Sequence, residues 1–327
     1  MNDKTSATNL SRRALLAQGG ACLATTVLAQ AALGAEHPTP EPAAGVGTAA
    51  PFRLCLNTAT IRGHKLPIAQ EVEIAAKAGY DGIEPWMDGI NRHVEAGGSL
   101  ADLGKRIADL GLVVESAIGF PNWGVDDPEK RAAGLEQMRR DMERVCAIGS
   151  KRIAAPPAGL WNIEPVDLRS LGERYRIVLE LGDETGVLPQ LEIWGGARTL
   201  GRLSEAIFVA VESGRPDACL LLDAYHLYRG GSGFDGLHLL NGAAMHMFHI
   251  NDYPAEPERE QLKDSHRLLP GDGVCPLPEM LRTMHTTGFR GTLSLELFNR
   301  DLWDMDPLEA ARLGREKMEA VIAAAGF

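Results

Sequence analysis

Along the chain, short runs of consecutive apolar residues alternate with longer stretches in which apolar positions recur every three to four residues. The short runs read as parallel strands buried on both faces, which carry no polar alternation. From Phe52 onward they are predicted at 53–57, 82–86, 113–118, 152–156, 189–194, 220–223, 247–251 and 292–298. The stretches between them read as helices over about 66–79, 100–110, 128–148, 165–186, 199–213, 235–244, 276–287 and 307–325. Asp127-Pro128 places an acidic cap before a proline at the first helical position. Thr199 is the expected cap of the fifth helix. Gly79, Gly111, Gly149, Gly186 and Gly288 stand where glycines end helices. Eight strand–helix units in alternation predict an α/β fold, a (β/α)8 TIM barrel over 52–327. The alternative is an open doubly wound sheet, but no GxGxxG follows the first strand to favour its dinucleotide-binding form.

The last four runs each finish on a side chain able to bind a metal: Glu192, Asp223, His249 and Glu296. The C-terminal strand ends of a barrel converge on one face, so these four are expected to meet there. Three carboxylates in such apolar surroundings would cost several kcal/mol each without a counter-charge. One divalent ion removes that cost, and one imidazole with three carboxylates suits Mn, Co, Zn or Mg. His226, three residues after Asp223, is expected to touch substrate. Arg267 precedes the tight loop Pro270-Gly271-Asp272-Gly273 and is expected to clamp a sugar oxygen or a carboxylate. Asn57 and Glu84, at the first two strand ends, are further candidates for hydrogen bonds to substrate. Trp86, Trp123, Trp161 and Trp194 lie at or after strand ends, where indoles pack against sugar C–H faces; Trp123 is assigned to the substrate site, with barrel packing the alternative for Trp194.

Composition narrows the ligand. The net charge is −11 with a pI near 5.3, which disfavours a nucleic-acid partner. None of the five cysteines forms a CxxC pair, so a thiolate zinc site and a structural disulfide are not expected. Ser11-Arg12-Arg13 opens an Ala-rich apolar stretch followed by small residues suited to cleavage. Residues 1–35 therefore read as a twin-arginine export signal and 36–51, rich in Pro, Gly and Ala, as a disordered linker. The expectation is a periplasmic protein with no stable membrane span after cleavage, loaded with its metal before export, and acting on a free sugar, polyol or glycoside.

Six segments carry a resemblance: LCLNTATIRG (54–63), AGYDGIEPW (78–86), LLLDAYHLYRGGS (220–232), FHINDYP (248–254), HRLLPGDG (266–273) and LSLELFNRDLW (293–303). Together they resemble the xylose isomerase-like TIM-barrel superfamily of sugar isomerases and epimerases, with the inosose isomerases the most similar group. The resemblance implies one divalent metal on Glu192, Asp223, His249 and Glu296. It also implies Glu192 and Glu296 as the acid/base pair, and His226 and Arg267 as substrate contacts. The implied reaction removes a proton next to a carbonyl of a sugar or cyclitol and passes through an enediolate. Superfamily barrels often form dimers or tetramers, so a homo-oligomer is possible. The same chemistry ending in β-elimination would make a lyase or dehydratase acting on 3-keto-glycosides or inosose. A sugar-binding barrel without activity would not need two metal-facing glutamates. Phosphodiester endonucleases that share the barrel need further histidines where this chain has Glu84 and Glu115.

Overall fold

The structure is a computed structural model that describes residues 51–327. The expected export signal, Cys22 and all but the last residue of the linker lie outside the described residues. Eight parallel strands form the sheet: β1 (Arg53–Asn57), β2 (Gly82–Glu84), β3 (Val113–Val114), β4 (Arg152–Ala155), β5 (Leu188–Glu192), β6 (Leu220–Asp223), β7 (Met245–Ile250) and β8 (Thr292–Leu295). Their order is β3-β2-β1-β8-β7-β6-β5-β4, and β1 to β8 is a parallel pairing that carries the sheet past its own start. No ladder joins β3 to β4 among the described residues. That seam is bridged by Ala154 N donating to Ala117 O at 2.9 Å.

Several strands are shorter than the apolar runs suggest. β2 stops at Glu84 because Pro85 has no N–H to give a ladder; Trp86 instead makes an isolated parallel bridge to Ile118. The third run keeps only two residues in register. β8 stops at Leu295, so Glu296 sits just past its strand on a backbone that has left the ladder.

The ring of helices comprises α1 (Ile68–Ala78), α2 (Met87–Glu95), α3 (Leu100–Asp109), α4 (Pro128–Ala147), α5 (Leu168–Thr185), α6 (Leu203–Glu212), α7 (Ala224–Arg229), α8 (Leu277–Thr286), α9 (Arg300–Asp304) and α10 (Pro307–Ala324). The Asp127 carboxylate caps α4 by accepting from Glu129 N and Lys130 N. The five helix-ending glycines all adopt positive φ. Two expectations fail. Thr199 does not cap α6, which begins after Arg202; its hydroxyl accepts from Val166 N and ties two loops together. The stretch 235–244 is not one helix but two short 3-10 turns, Asp235–Leu239 and Gly242–Ala244, interrupted where Gly242 packs against the backbone of Gly288 and Phe289 too closely for any Cβ.

Most of the apolar core lies between sheet and helices. Inside the barrel a small cluster of Cys55, Ile118, Ala154, Leu221 and Met247 fills the floor beneath the strand ends. Helix α1 buries Ile68, Val72 and Ala75, and with them Glu71. Burial raises the Glu71 carboxyl to about 7, with Arg92 opposing and Asp88 assisting. The folded chain thus holds this proton more tightly than the unfolded chain. Stability from it is fully present below about pH 4.5 and is lost as pH rises through 7. The loss amounts to about 3 kcal/mol. Glu71→Gln keeps the shape without the titration, so it should unfold at higher urea than the parent at pH 8 and lose the parent's decline between pH 5 and 8. Equal slopes in both proteins would refute the assignment.

Candidate functional site

Glu192, Asp223, His249 and Glu296 all reach the C-terminal mouth of the barrel, and all are buried. His249 is held from below. Its Nε2 lies 3.0 Å from Glu84 Oε2, and that oxygen also accepts from Ser294 Oγ at 2.7 Å and Asn57 Nδ2 at 2.9 Å. Burial would push Glu84 up, but His249, Ser294 and Asn57 outweigh it and hold the carboxyl below its ordinary range. A carboxylate there fixes the ring with Nε2–H pointing down and Nδ1 pointing up into the site, the way metal-binding histidines are commonly oriented. His249 Nδ1 lies 3.3 Å from Glu296 Oε2 and 3.7 Å from Asp223 Oδ2, yet makes no aligned hydrogen bond.

Asp223, His249 and Glu296 each offer one donor atom within 4.8 Å of the others. Besides Glu84 Oε1 and Arg267 Nε, two buried atoms around them have no partner: His249 Nδ1 and Glu192 Oε2. Both are acceptors when His249 carries its proton on Nε2, and an unpaired acceptor in a buried acidic cluster is what a cation would satisfy. The residues therefore fit a divalent ion held by Asp223, His249 and Glu296. Glu192, the fourth expected ligand, lies outside that tight group. Its Oε1 is held at 3.1 Å by Trp194 Nε1, leaving Oε2 free at the edge of the same cavity.

The electrostatics divide the carboxylates. Burial opposes ionisation of Asp223, but Arg267 and then His226 and His249 overcome it and keep Asp223 ionised far below its usual range. Glu192 goes the other way. Burial raises it, His249 opposes, and the nearby Glu296 and Asp223 raise it further.

Arg267 is buried and lines the cavity, and its two Nη groups are engaged by protein while its buried Nε has no partner. Nη1 donates to Asp223 Oδ2 at 2.6 Å and Glu296 Oε2 at 3.1 Å, and Nη2 to Asp264 Oδ1 at 3.2 Å. It supplies counter-charge to the carboxylates that the cation would also neutralise. His226 accepts at Nδ1 from Gly195 N at 3.1 Å. A neutral imidazole has one acceptor nitrogen, so this tautomer carries its proton on Nε2. Burial keeps the ring neutral, lowering it to about 4. The 3.0 Å approach of Arg267 Nη2 to Nε2 is then a donor facing a donor, and Nε2–H is available to an acceptor in the cavity.

Three expected substrate contacts do not line the cavity. Glu84 and Asn57 are fully buried beneath it; Asn57 Nδ2 joins Glu84 to Glu296 Oε1 at 3.2 Å, and its Oδ1 accepts from Trp86 Nε1 at 2.9 Å. Trp123 is buried beside Tyr175 and donates to Pro156 O at 2.8 Å, so it packs the scaffold. Trp86, Trp161 and Trp194 do line the cavity, joined by Phe120 and Phe298, which the sequence reading did not single out. Nor did that reading give a role to the pair after His249. Asn251 donates to Asp223 Oδ2 at 3.0 Å and accepts from Tyr225 N. Asp252 accepts from four backbone N–H groups, those of Tyr253, Gly271, Gly273 and Cys275, and so staples the 267–275 loop to the end of β7. Two polar residues directly after the last apolar residue of β7, Ile250, were the available signal.

A family model described as a xylose isomerase-like TIM barrel matches residues 72–321. The inosose isomerase of Bacillus velezensis is 26% identical over 278 residues, 83% of this chain and 98% of that protein. A 3-dehydroshikimate dehydratase of Pseudomonas aeruginosa is 26% identical over 240 residues, 71% of this chain and 36% of that protein. Among solved structures, the IOLI protein with a binding zinc atom superposes with a TM-score of 0.77 at 22% identity, covering 83% of this chain and 98% of that one. Among the described residues no helix is long and apolar enough to cross a membrane.

Proposed function

Because the chain belongs to the xylose isomerase-like TIM-barrel family, we propose that it is a divalent-metal-dependent isomerase or epimerase of a keto-sugar or keto-cyclitol. The observation that carries this reading is the pair of carboxylates, Glu192 and Glu296, opening on one cavity beside the Asp223–His249–Glu296 cluster. An inosose isomerase relative that this chain matches along 98% of its length supports the substrate class.

A divalent ion on Asp223, His249 and Glu296 would supply electrophilic polarisation of the substrate carbonyl. The rest of the work falls to the chain. Glu192 Oε2, which has no partner and belongs to the cavity lining, is the base that takes the proton next to the carbonyl. Trp194 holds the other oxygen so that this one points at substrate. Glu296 returns a proton from the other side. His226 Nε2–H donates to a substrate oxygen, and Arg267 balances the charge that develops as the proton leaves. Asp223, held ionised, takes no part in proton transfer. The twin-arginine pattern adds that the enzyme works in the periplasm on an unphosphorylated substrate.

The test is proton exchange. With metal and a panel of ketoses, inosose and 3-keto-glycosides in D2O, deuterium should enter next to the carbonyl, read by NMR. Absence of exchange across the whole metal-loaded panel would overturn the reading. The dehydratase relative, aligned over 71% of this chain, favours elimination as the second reading. Release of a β substituent in the same experiment separates the two.

Metal binding has its own expected result. The chain should take up one ion, and stripping it with a chelator should lower the melting temperature reversibly. At a hundredfold excess over the dissociation constant the ion adds about 2.7 kcal/mol. His249→Ala should lose both the ion and the melting shift, measured by elemental analysis and calorimetry; an unchanged stoichiometry would remove His249 from the site.

A further inference from the structure

Five aromatic rings surround the cavity in an unbroken chain. Phe298 meets Trp86 at 5.7 Å between centroids, Trp86 meets Phe120 at 5.1 Å, Phe120 meets Trp194 at 5.9 Å, and Trp194 meets Trp161 at 5.9 Å. They come from the segments that follow β2, β3, β4, β5 and β8. None is buried, and Phe120 and Trp161 remain 41% and 36% exposed. Aromatic surface left open around a concavity marks a place where apolar surface is covered by a ligand.

This wall is also unable to bind hydroxyl groups through the two rings nearest the carboxylates. The indole N–H of Trp86 is spent on Asn57 Oδ1, and that of Trp194 on Glu192 Oε1. The cavity, about 290 Å³, thus has two unlike sides. Glu192, His226, Asp264, Arg267 and Glu296 form a polar side suited to a sugar ring. Apart from the Trp161 indole N–H the other side is carbon, and a sugar hydroxyl turned toward Phe120, Phe298 or the Trp86 ring would give up its hydrogen bonds to water for nothing. A cationic substituent is disfavoured too, because Arg62 already lies 4.4 Å over the Trp86 ring and Arg267 lies 5.2 Å from Phe298.

We propose that the substrate carries an uncharged planar apolar substituent, an aryl-type aglycone, beyond the reacting ring, and that Phe120 and Trp161 are the residues that select it. This rests on the reading of the polar side as a sugar site. Gly196 is built for it. A Cβ there would stand 2.6 Å from Trp161 Cη2, so glycine is what lets the indole lie against the backbone at the mouth.

The experiment compares matched phenyl and methyl glycosides of glucose, galactose and xylose, titrated calorimetrically into the metal-loaded full chain. For at least one sugar the phenyl glycoside should bind about tenfold or more tightly than the methyl glycoside, from the aryl surface buried. In the Phe120→Ala/Trp161→Ala double variant the two should converge. Gly196→Ala, which leaves both rings in the chain but displaces one, should shrink the ratio; Trp161→Phe should largely restore it. Both rings are exposed, so the variants are expected to melt as the parent does. Equal binding of phenyl and methyl partners, a ratio that survives in the double variant, or no binding of any glycoside at millimolar concentration would each overturn the proposal. The two readings fail separately: the binding contrast needs no turnover, so it persists if proton exchange is absent, whereas exchange without the contrast removes only the aglycone.

Discussion

Glu192→Gln and Glu296→Gln should each fold as the parent does and lose turnover by a factor of about 100 to 10,000, the range expected when a positioned acid or base is removed. The two should then part company on metal. Glu192 stands outside the tight donor group and is held by Trp194, so its Gln variant should keep its ion. Glu296 Oε2 faces His249 Nδ1 within that group, so its Gln variant should hold the ion less well. Deuterium exchange and elemental analysis on the same preparations check both halves. Near-normal exchange in Glu296→Gln would end its role in proton transfer. Loss of the ion from Glu192→Gln would make it a ligand of equal standing with the other three.

The second large effect lies away from the reacting groups. Asp252 accepts from Tyr253 N and Cys275 N at 2.8 Å and from Gly271 N and Gly273 N at 3.0 Å. Asp252→Ala leaves four backbone donors to find water or nothing, at a cost of about 3 kcal/mol. Arg267 begins the stapled loop, so activity should fall with stability. Urea unfolding gives the first, and exchange at a temperature where the variant is folded gives the second. Gly273→Ala should mimic it, since its Cβ would stand 2.4 Å from Asp252 Oδ1 and 2.2 Å from Tyr253 O. A midpoint unchanged by Asp252→Ala would show that the loop is held by other contacts.

The barrel was legible because strands buried on both faces leave uninterrupted apolar runs, and the end of each such run marks the mouth. That is why Glu192, Asp223, His249 and Glu296 could be brought together without any structure. The same signal cannot tell which way a strand-end side chain turns. Asn57 and Glu84 also end strands, but they point into the barrel and support His249 from beneath. Short helices escaped for a different reason: α7 and α9 have six and five residues, too few for a helical period to show. Trp123 and Phe120 are separated by two residues in one irregular segment, and only tertiary packing decides which is buried and which lines the cavity. Pro85, which cuts β2 short, was visible in the sequence and marks where the ladder had to stop.

The seam between β3 and β4 gives the barrel an unequal circumference. Where neighbouring strands share ladders, opening must break several backbone bonds at once; across the seam Ala154 N to Ala117 O is, among the described residues, a lone backbone bond, helped by Trp123 Nε1 donating to Pro156 O and by the Arg152–Glu115 ion pair. Hydrogen exchange should therefore be fastest for the Ala154 amide among the buried strand amides. The segments that leave this seam carry Phe120 on one side and Trp161 on the other. The two most exposed rings of the aromatic wall thus stand over the joint of the cylinder that no ladder closes among the described residues.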